Sequence, residues 1–109
     1  MGIQTDAVEI LVYIYKKYAS SQNFFDPILD SKLVDETGWE MGRIRRAVDY
    51  LDEKGLINVE RALGGGFFID KLHPEGIDTI ENQDKFKTTF GFELNLGLFK
   101  FSWTKEKKP

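Results

Sequence analysis

The sequence predicts an α+β domain: a three-helix core with a β-hairpin, then a short fourth helix and a C-terminal β extension. Three observations carry that expectation. Residues 31–56, SKLVDETGWEMGRIRRAVDYLDEKGL, place apolar side chains at helical spacing on both sides of Gly38 and close on Gly55. Residues 57–72 put two β-prone runs around Gly64, Gly65 and Gly66. Near the C-terminus, Phe90, Phe92 and Leu94 alternate with polar residues or glycine, and Phe99, Phe101 and Trp103 resume the alternation with its phase changed.

Taken in order, Asp6 and Glu9 have the spacing of a reciprocal cap, so a first helix is expected over residues 6–20. Ala7, Ile10, Leu11, Ile14 and Tyr18 form its inner stripe. Val8, Val12, Tyr13 and Tyr15 widen the apolar surface, which suits a central helix. Residues 20–23 are a polar break, and Pro27 keeps residues 24–29 extended, either as a third strand beside the hairpin or as a plug for the core. Asp30 or Ser31 can cap a second helix, and Gly38 supplies its left-handed stop. Trp39 enters a third helix, in which Ile44, Ala47, Val48 and Leu51 share one face. Strands over 57–61 and 67–72 follow. His73, Pro74 and Glu75 then open a last helix, with Ile77 and Ile80 inward and Gly76 lowering its intrinsic stability.

With 109 residues, 41% of them hydrophobic and 30% charged, the chain can bury one core without covalent staples. Cysteine is absent, and His73 is the single histidine, so neither a disulfide framework nor a metal centre is expected. No cofactor is expected either. The carboxylates are scattered without a nucleophile or base beside them, which argues against an enzyme. The Gly64 to Gly66 run is followed by Phe67, Phe68 and Ile69 rather than by Lys-Ser or Lys-Thr and a helix, so a phosphate-binding loop is excluded. No apolar run has the length of a membrane span or a signal peptide, and the expected location is cytoplasmic.

The succession of helix, turn, helix, strand, glycine-rich tip and strand over residues 31–72 resembles the winged helix-turn-helix family, and 72–77 resembles the step from its hairpin into a last helix. The resemblance covers residues 5–83 and implies a domain over 1–84 that binds double-stranded DNA as a transcriptional regulator. It also implies that the helix carrying Arg43, Arg45 and Arg46 enters the major groove, where arginine can grip a guanine edge or a phosphate. Gly42 would let the backbone approach, and Met41 would touch a thymine methyl. Arg61 and Lys71 on the hairpin strands would reach neighbouring phosphates.

Charge complicates this expectation. Residues 31–72 hold seven cations against eight anions, a net of −1, so any DNA affinity must come from the placement of the cations. Asp49, Asp52 and Glu53 can also pair with the arginines along the helix. The alternative function is therefore a winged-helix module that binds protein and not DNA. Residues 85–109 are expected to form a β-strand or hairpin, ending in a disordered basic tail over 105–109. Its apolar face of Phe90, Phe92, Leu94, Phe99, Phe101 and Trp103 is assigned to joining copies of the chain, in preference to covering the chain's own core.

Overall fold

The computed structural model describes residues 2–21 and 25–94. Among them are five helices and a three-stranded antiparallel sheet. The first helix, α1 (Ile3–Ser20), buries Ala7, Val8, Ile10, Leu11, Val12 and Ile14, so apolar side chains surround most of its middle and it is packed on several sides. It begins before Asp6, with Gly2 as its cap residue, and the reciprocal cap expected of Asp6 and Glu9 does not form. Nothing between Ile3 and Asp6 breaks a helix, and the Asp6 carboxylate is engaged by a cation from another element.

A two-residue strand, β1 (Ile28–Leu29), leads into α2 (Asp30–Thr37). Neither Asp30 nor Ser31 caps that helix through its side chain. The Asp30 carboxylate instead accepts from the Phe67 N–H at 3.1 Å and ties the start of α2 to the hairpin. Gly38, at φ 74°, ends α2 by donating to Val34 O at 2.8 Å. Trp39 stays in the turn, where its N–H donates to Thr37 Oγ1 at 3.0 Å. The next helix, α3 (Met41–Glu53), buries Ile44, Ala47, Val48 and Leu51 as their spacing predicts. It closes at Gly55, φ 77°, with the Leu56 N–H reaching back to Leu51 O at 3.1 Å.

The hairpin is β2 (Ile57–Arg61) and β3 (Phe67–Leu72), and β1 pairs with the other edge of β3, giving the order β1-β3-β2. Ile28 faces Ile69 and Leu29 faces Phe68, so the 24–29 segment supplies a third strand from Ile28 onward. Register shifts between Asn58, which faces Lys71, and Val59, which faces Ile69. Asp70 is thus the extra residue of a bulge, and Asn58 Nδ2 donates to its Oδ1 at 2.7 Å. The bulge resets the alternation: Phe67 and Ile69 are buried, and so is Leu72.

Pro74 opens α4 (Pro74–Glu81). Gly76 in that helix lies so close to Leu56 that a Cβ there would stand 2.5 Å from the Leu56 carbonyl oxygen, so its small size serves packing.

Residues 83–90 correct the expectation of a β extension beginning at residue 85. They form α5 (Gln83–Phe90), started by Asn82, whose side chain accepts from the Lys85 N–H at 2.9 Å, and ended by Gly91 at φ 87°. Phe90 belongs to a helical pair with Phe86, ring centroids 4.9 Å apart, and not to an alternation with Phe92. Phe86, Phe90 and Leu94 are buried in the same core as α1, α3 and the sheet. Phe92 meets the edge of Phe86 with ring centroids 5.7 Å apart. Gln83 holds Leu94 by both backbone groups, donating to its O at 2.7 Å and accepting from its N at 2.8 Å. Phe90, Phe92 and Leu94 therefore pack on their own chain, which is the alternative the sequence reading ranked lower. Phe99, Phe101, Trp103 and the tail lie outside the described residues.

Candidate nucleic-acid interface

The residues assigned to DNA contact fall into three groups once the chain is folded. Arg43 is tied to another element, and the reason is electrostatic. Its Nε and Nη2 donate to Asp6 Oδ2 and Oδ1 at 2.9 Å each, and its guanidinium carbon lies 3.9 Å from the centroid of the Trp39 ring. The hydrogen bond to Asp6 is the main cause of a raised Arg43 pKa, with the charges of Asp6 and Glu9 adding to it. A planar fork on a carboxylate, backed by an aromatic face, is a strut between α1 and α3. Met41 likewise packs partly against the core.

Arg45 and Arg46 remain on the surface of the first two turns of α3. Arg45 Nη2 donates to Gly65 O at 2.6 Å, which draws the hairpin tip alongside the helix without neutralising the guanidinium. The tip itself is a tight turn, with the Ala62 N–H on Gly66 O at 2.8 Å and Gly65 at φ 101°. Arg46 makes no hydrogen bond or ion pair with the described residues, and its Nη1 passes 3.6 Å from where a Cβ on Gly42 would stand. Gly42 is exposed beside it.

The sheet separates the two hairpin cations. Arg61 pairs in register with Phe67, which is buried, so Arg61 is on the sheet face turned toward α3. There its Nη2 donates to Asp49 Oδ1 at 2.9 Å and to Asp52 Oδ2 at 3.2 Å. Lys71 sits on the opposite, outward face, because the bulge at Asp70 shifts it out of phase with Ile69. Arg45, Arg46 and Arg61 thus border one region, and Lys71 is excluded from it.

Between α3 and the hairpin lies a cleft of about 460 Å³ whose lining includes Arg45, Asp49, Asp52, Glu53, Arg61 and Gly65. Three carboxylates against two guanidinium groups make the cleft itself unsuited to an anion. The cationic surface is the outer edge formed by Arg45 and Arg46. Sequence reading missed Asp6 as a partner of Arg43, because no local signal announces a contact across 37 positions, and it also missed Trp39, four residues before Arg43. Asp49 and Asp52, one helical turn apart, were legible as ion-pair partners, but for arginines of their own helix rather than for Arg61.

Among the described residues no group of three or more His, Cys, Asp or Glu side chains is placed to hold a metal ion, and no helix is long and apolar enough to cross a membrane. No protein-family model matches the chain, and neither a curated protein nor a solved structure shows significant similarity to it.

Proposed function

We propose that this chain is a DNA-binding transcriptional regulator of winged-helix type, acting in the cytoplasm, with the first half of α3 in the major groove and the β2–β3 hairpin as its wing. The order of α1, β1, α2, α3, β2 and β3, with the sheet order β1-β3-β2, is compatible with that architecture. The observation that carries the reading is the pair Arg45 and Arg46: two guanidinium groups without a carboxylate partner, on exposed turns of a helix held beside a glycine-rich hairpin tip. Guanidinium groups in that position can donate to a guanine edge or to backbone phosphates. Gly42 removes side-chain bulk next to Arg46.

Two copies acting together would strengthen such a weakly charged module, because the second contact becomes intramolecular. Since Phe90, Phe92 and Leu94 are engaged in their own chain, Phe99, Phe101 and Trp103 are the residues proposed to join copies. Titration of a labelled random-sequence duplex at low salt tests the reading. Binding that weakens steeply with salt is expected, as is a loss of about 5- to 100-fold in operator affinity for Arg46→Ala, in line with one bidentate base contact. A duplex that shows no affinity at low salt would overturn it.

A second reading is a protein-binding module, favoured by the acidic cleft of Asp49, Asp52 and Glu53 and by the ion pairing of Arg61. It expects no duplex binding at any salt concentration and a defined protein partner whose affinity falls when those carboxylates are neutralised.

A further inference from the structure

Arg61 is the cation of this region whose charge is already answered. It reaches from β2 to two carboxylates on α3, Asp49 and Asp52, which converge on one nitrogen of its guanidinium at 2.9 and 3.2 Å. The contact is open to solvent: the side chains of Arg61, Asp49 and Asp52 are 49%, 51% and 33% exposed. Exposed pairs of this kind are weak and exchange readily. A carboxylate and a phosphodiester also offer a guanidinium the same acceptor chemistry, two anionic oxygens in a plane it can fork. Asp49 lies one turn along α3 from Arg45 and Arg46, so a phosphate track approaching those arginines meets the Asp49 and Asp52 charges next.

We propose that Asp49 and Asp52 form an autoinhibitory ion pair with Arg61, an internal stand-in for DNA phosphate that holds the hairpin cation in reserve and is exchanged for a backbone phosphate on binding. The inference rests on the reading of α3 as a DNA-contacting helix. Its physical content is a competition. In the free chain Arg61 neutralises part of the acidic charge on α3 and is itself neutralised. In the complex the guanidinium moves to phosphate, and the two carboxylates are left to water. The chain therefore binds duplex more weakly than its arginines alone would allow, and removing the carboxylate charge releases the inhibition.

The test is a double-mutant cycle on the full chain, read by fluorescence anisotropy with a labelled random-sequence duplex at low salt. The Asp49→Asn, Asp52→Asn pair is expected to tighten binding roughly three- to tenfold or more. Loss of two nearby negative charges would tighten binding to some extent through space, so the decisive comparison is the same pair in an Arg61→Ala background. There the gain is expected to shrink by at least about threefold. The slope of log affinity against log salt gives a second readout. Because Arg61 reaches phosphate in both complexes, the natural chain and the Asn pair should share one slope, and Arg61→Ala should flatten it by about one phosphate contact in either. Circular dichroism confirms that the variants compared are folded, and the exposed positions of all three residues favour that. Equal gains in both backgrounds, with no change of slope on Arg61→Ala, would overturn the inference while leaving DNA binding standing. If neither the natural chain nor the Asn pair binds the duplex at low salt, the DNA reading falls and this inference goes with it.

Discussion

Arg43 grips Asp6 through two hydrogen bonds of 2.9 Å across the α1–α3 contact, with its guanidinium carbon 3.9 Å over the Trp39 ring. The Asp6 side chain is only 11% exposed, and both of its oxygens accept from Arg43. An arginine on the surface of a candidate recognition helix is thereby turned into part of the scaffold. Arg43→Ala is expected to destabilise the fold by about 1–3 kcal/mol in urea denaturation, discounted from the fully buried case because Arg43 keeps contact with water. The apolar pair Arg43→Met with Asp6→Leu should recover most of the loss, because no charge is then left stranded. Duplex affinity of the folded Arg43→Ala chain should change far less than that of Arg46→Ala; the reverse ranking would return Arg43 to the interface.

Gly76 offers a test in which propensity and packing oppose each other. Alanine is intrinsically the better helix residue by about 1 kcal/mol. Its Cβ would nevertheless stand 2.5 Å from the Leu56 carbonyl oxygen and 2.7 Å from Leu72 Cδ1, one a backbone atom that also accepts from the His73 N–H at 2.9 Å. Gly76→Ala should therefore lower stability by roughly 1–3 kcal/mol, seen as a drop in Tm. A stabilised variant would show that α4 can move off Leu56 and Leu72 at little cost.

Phe86 and Phe90 decide what the start of the C-terminal region is for. Both rings lie in the core, at 0% and 3% exposure. Phe86→Ala or Phe90→Ala should cost about 3–5 kcal/mol, with a change in unfolding midpoint that is the same at every protein concentration. A midpoint shift that grows on dilution would point instead to aromatic residues engaged between copies.

Tyr13 predicts an alkaline limit to stability. Burial chiefly, and the charge of Glu36 next, push its pKa from 10.0 up to about 12. The folded chain therefore holds the phenolic proton to higher pH than the unfolded chain. Its contribution is complete below pH about 10 and is lost as pH rises through about 12. Tyr15 shifts in the same direction, chiefly through the hydrogen bond its hydroxyl donates to Glu81 at 2.6 Å. Unfolding free energies from urea titrations across that pH range should fall less for Tyr13→Phe than for the natural chain, by a difference on the order of 1 kcal/mol. Parallel curves would show that Tyr13 ionises freely in the folded state.

The elements legible in the sequence share a property: their evidence is local. The four inward positions of α3 repeat at three and four residues, Gly38 and Gly55 sit where left-handed backbone is needed, and the β2–β3 tip has three glycines. Local evidence also misled where two periods overlap. Phe90 is spaced four from Phe86 and two from Phe92, and only the Asn82 cap and the Gly91 stop resolve which spacing governs the chain. For the candidate site, the exposure of Arg45 and Arg46 was legible because it follows from the helical phase of Ile44 and Ala47. The fates of Arg43 and Arg61 were not, because each depends on an element elsewhere in the chain.

By itself the sequence determined which stretches form α1, α2, α3 and the hairpin, and which cations start on the polar side of α3. Those outcomes follow from backbone preference and apolar period, which act between near neighbours. Only the tertiary structure decided that Asp6 claims Arg43, that Asp49 and Asp52 claim Arg61, that Lys71 turns outward after the bulge at Asp70, and that Phe86, Phe90 and Leu94 close the core. Ion pairs and core contacts form between groups that folding brings within a few ångströms, and sequence distance carries no record of that separation.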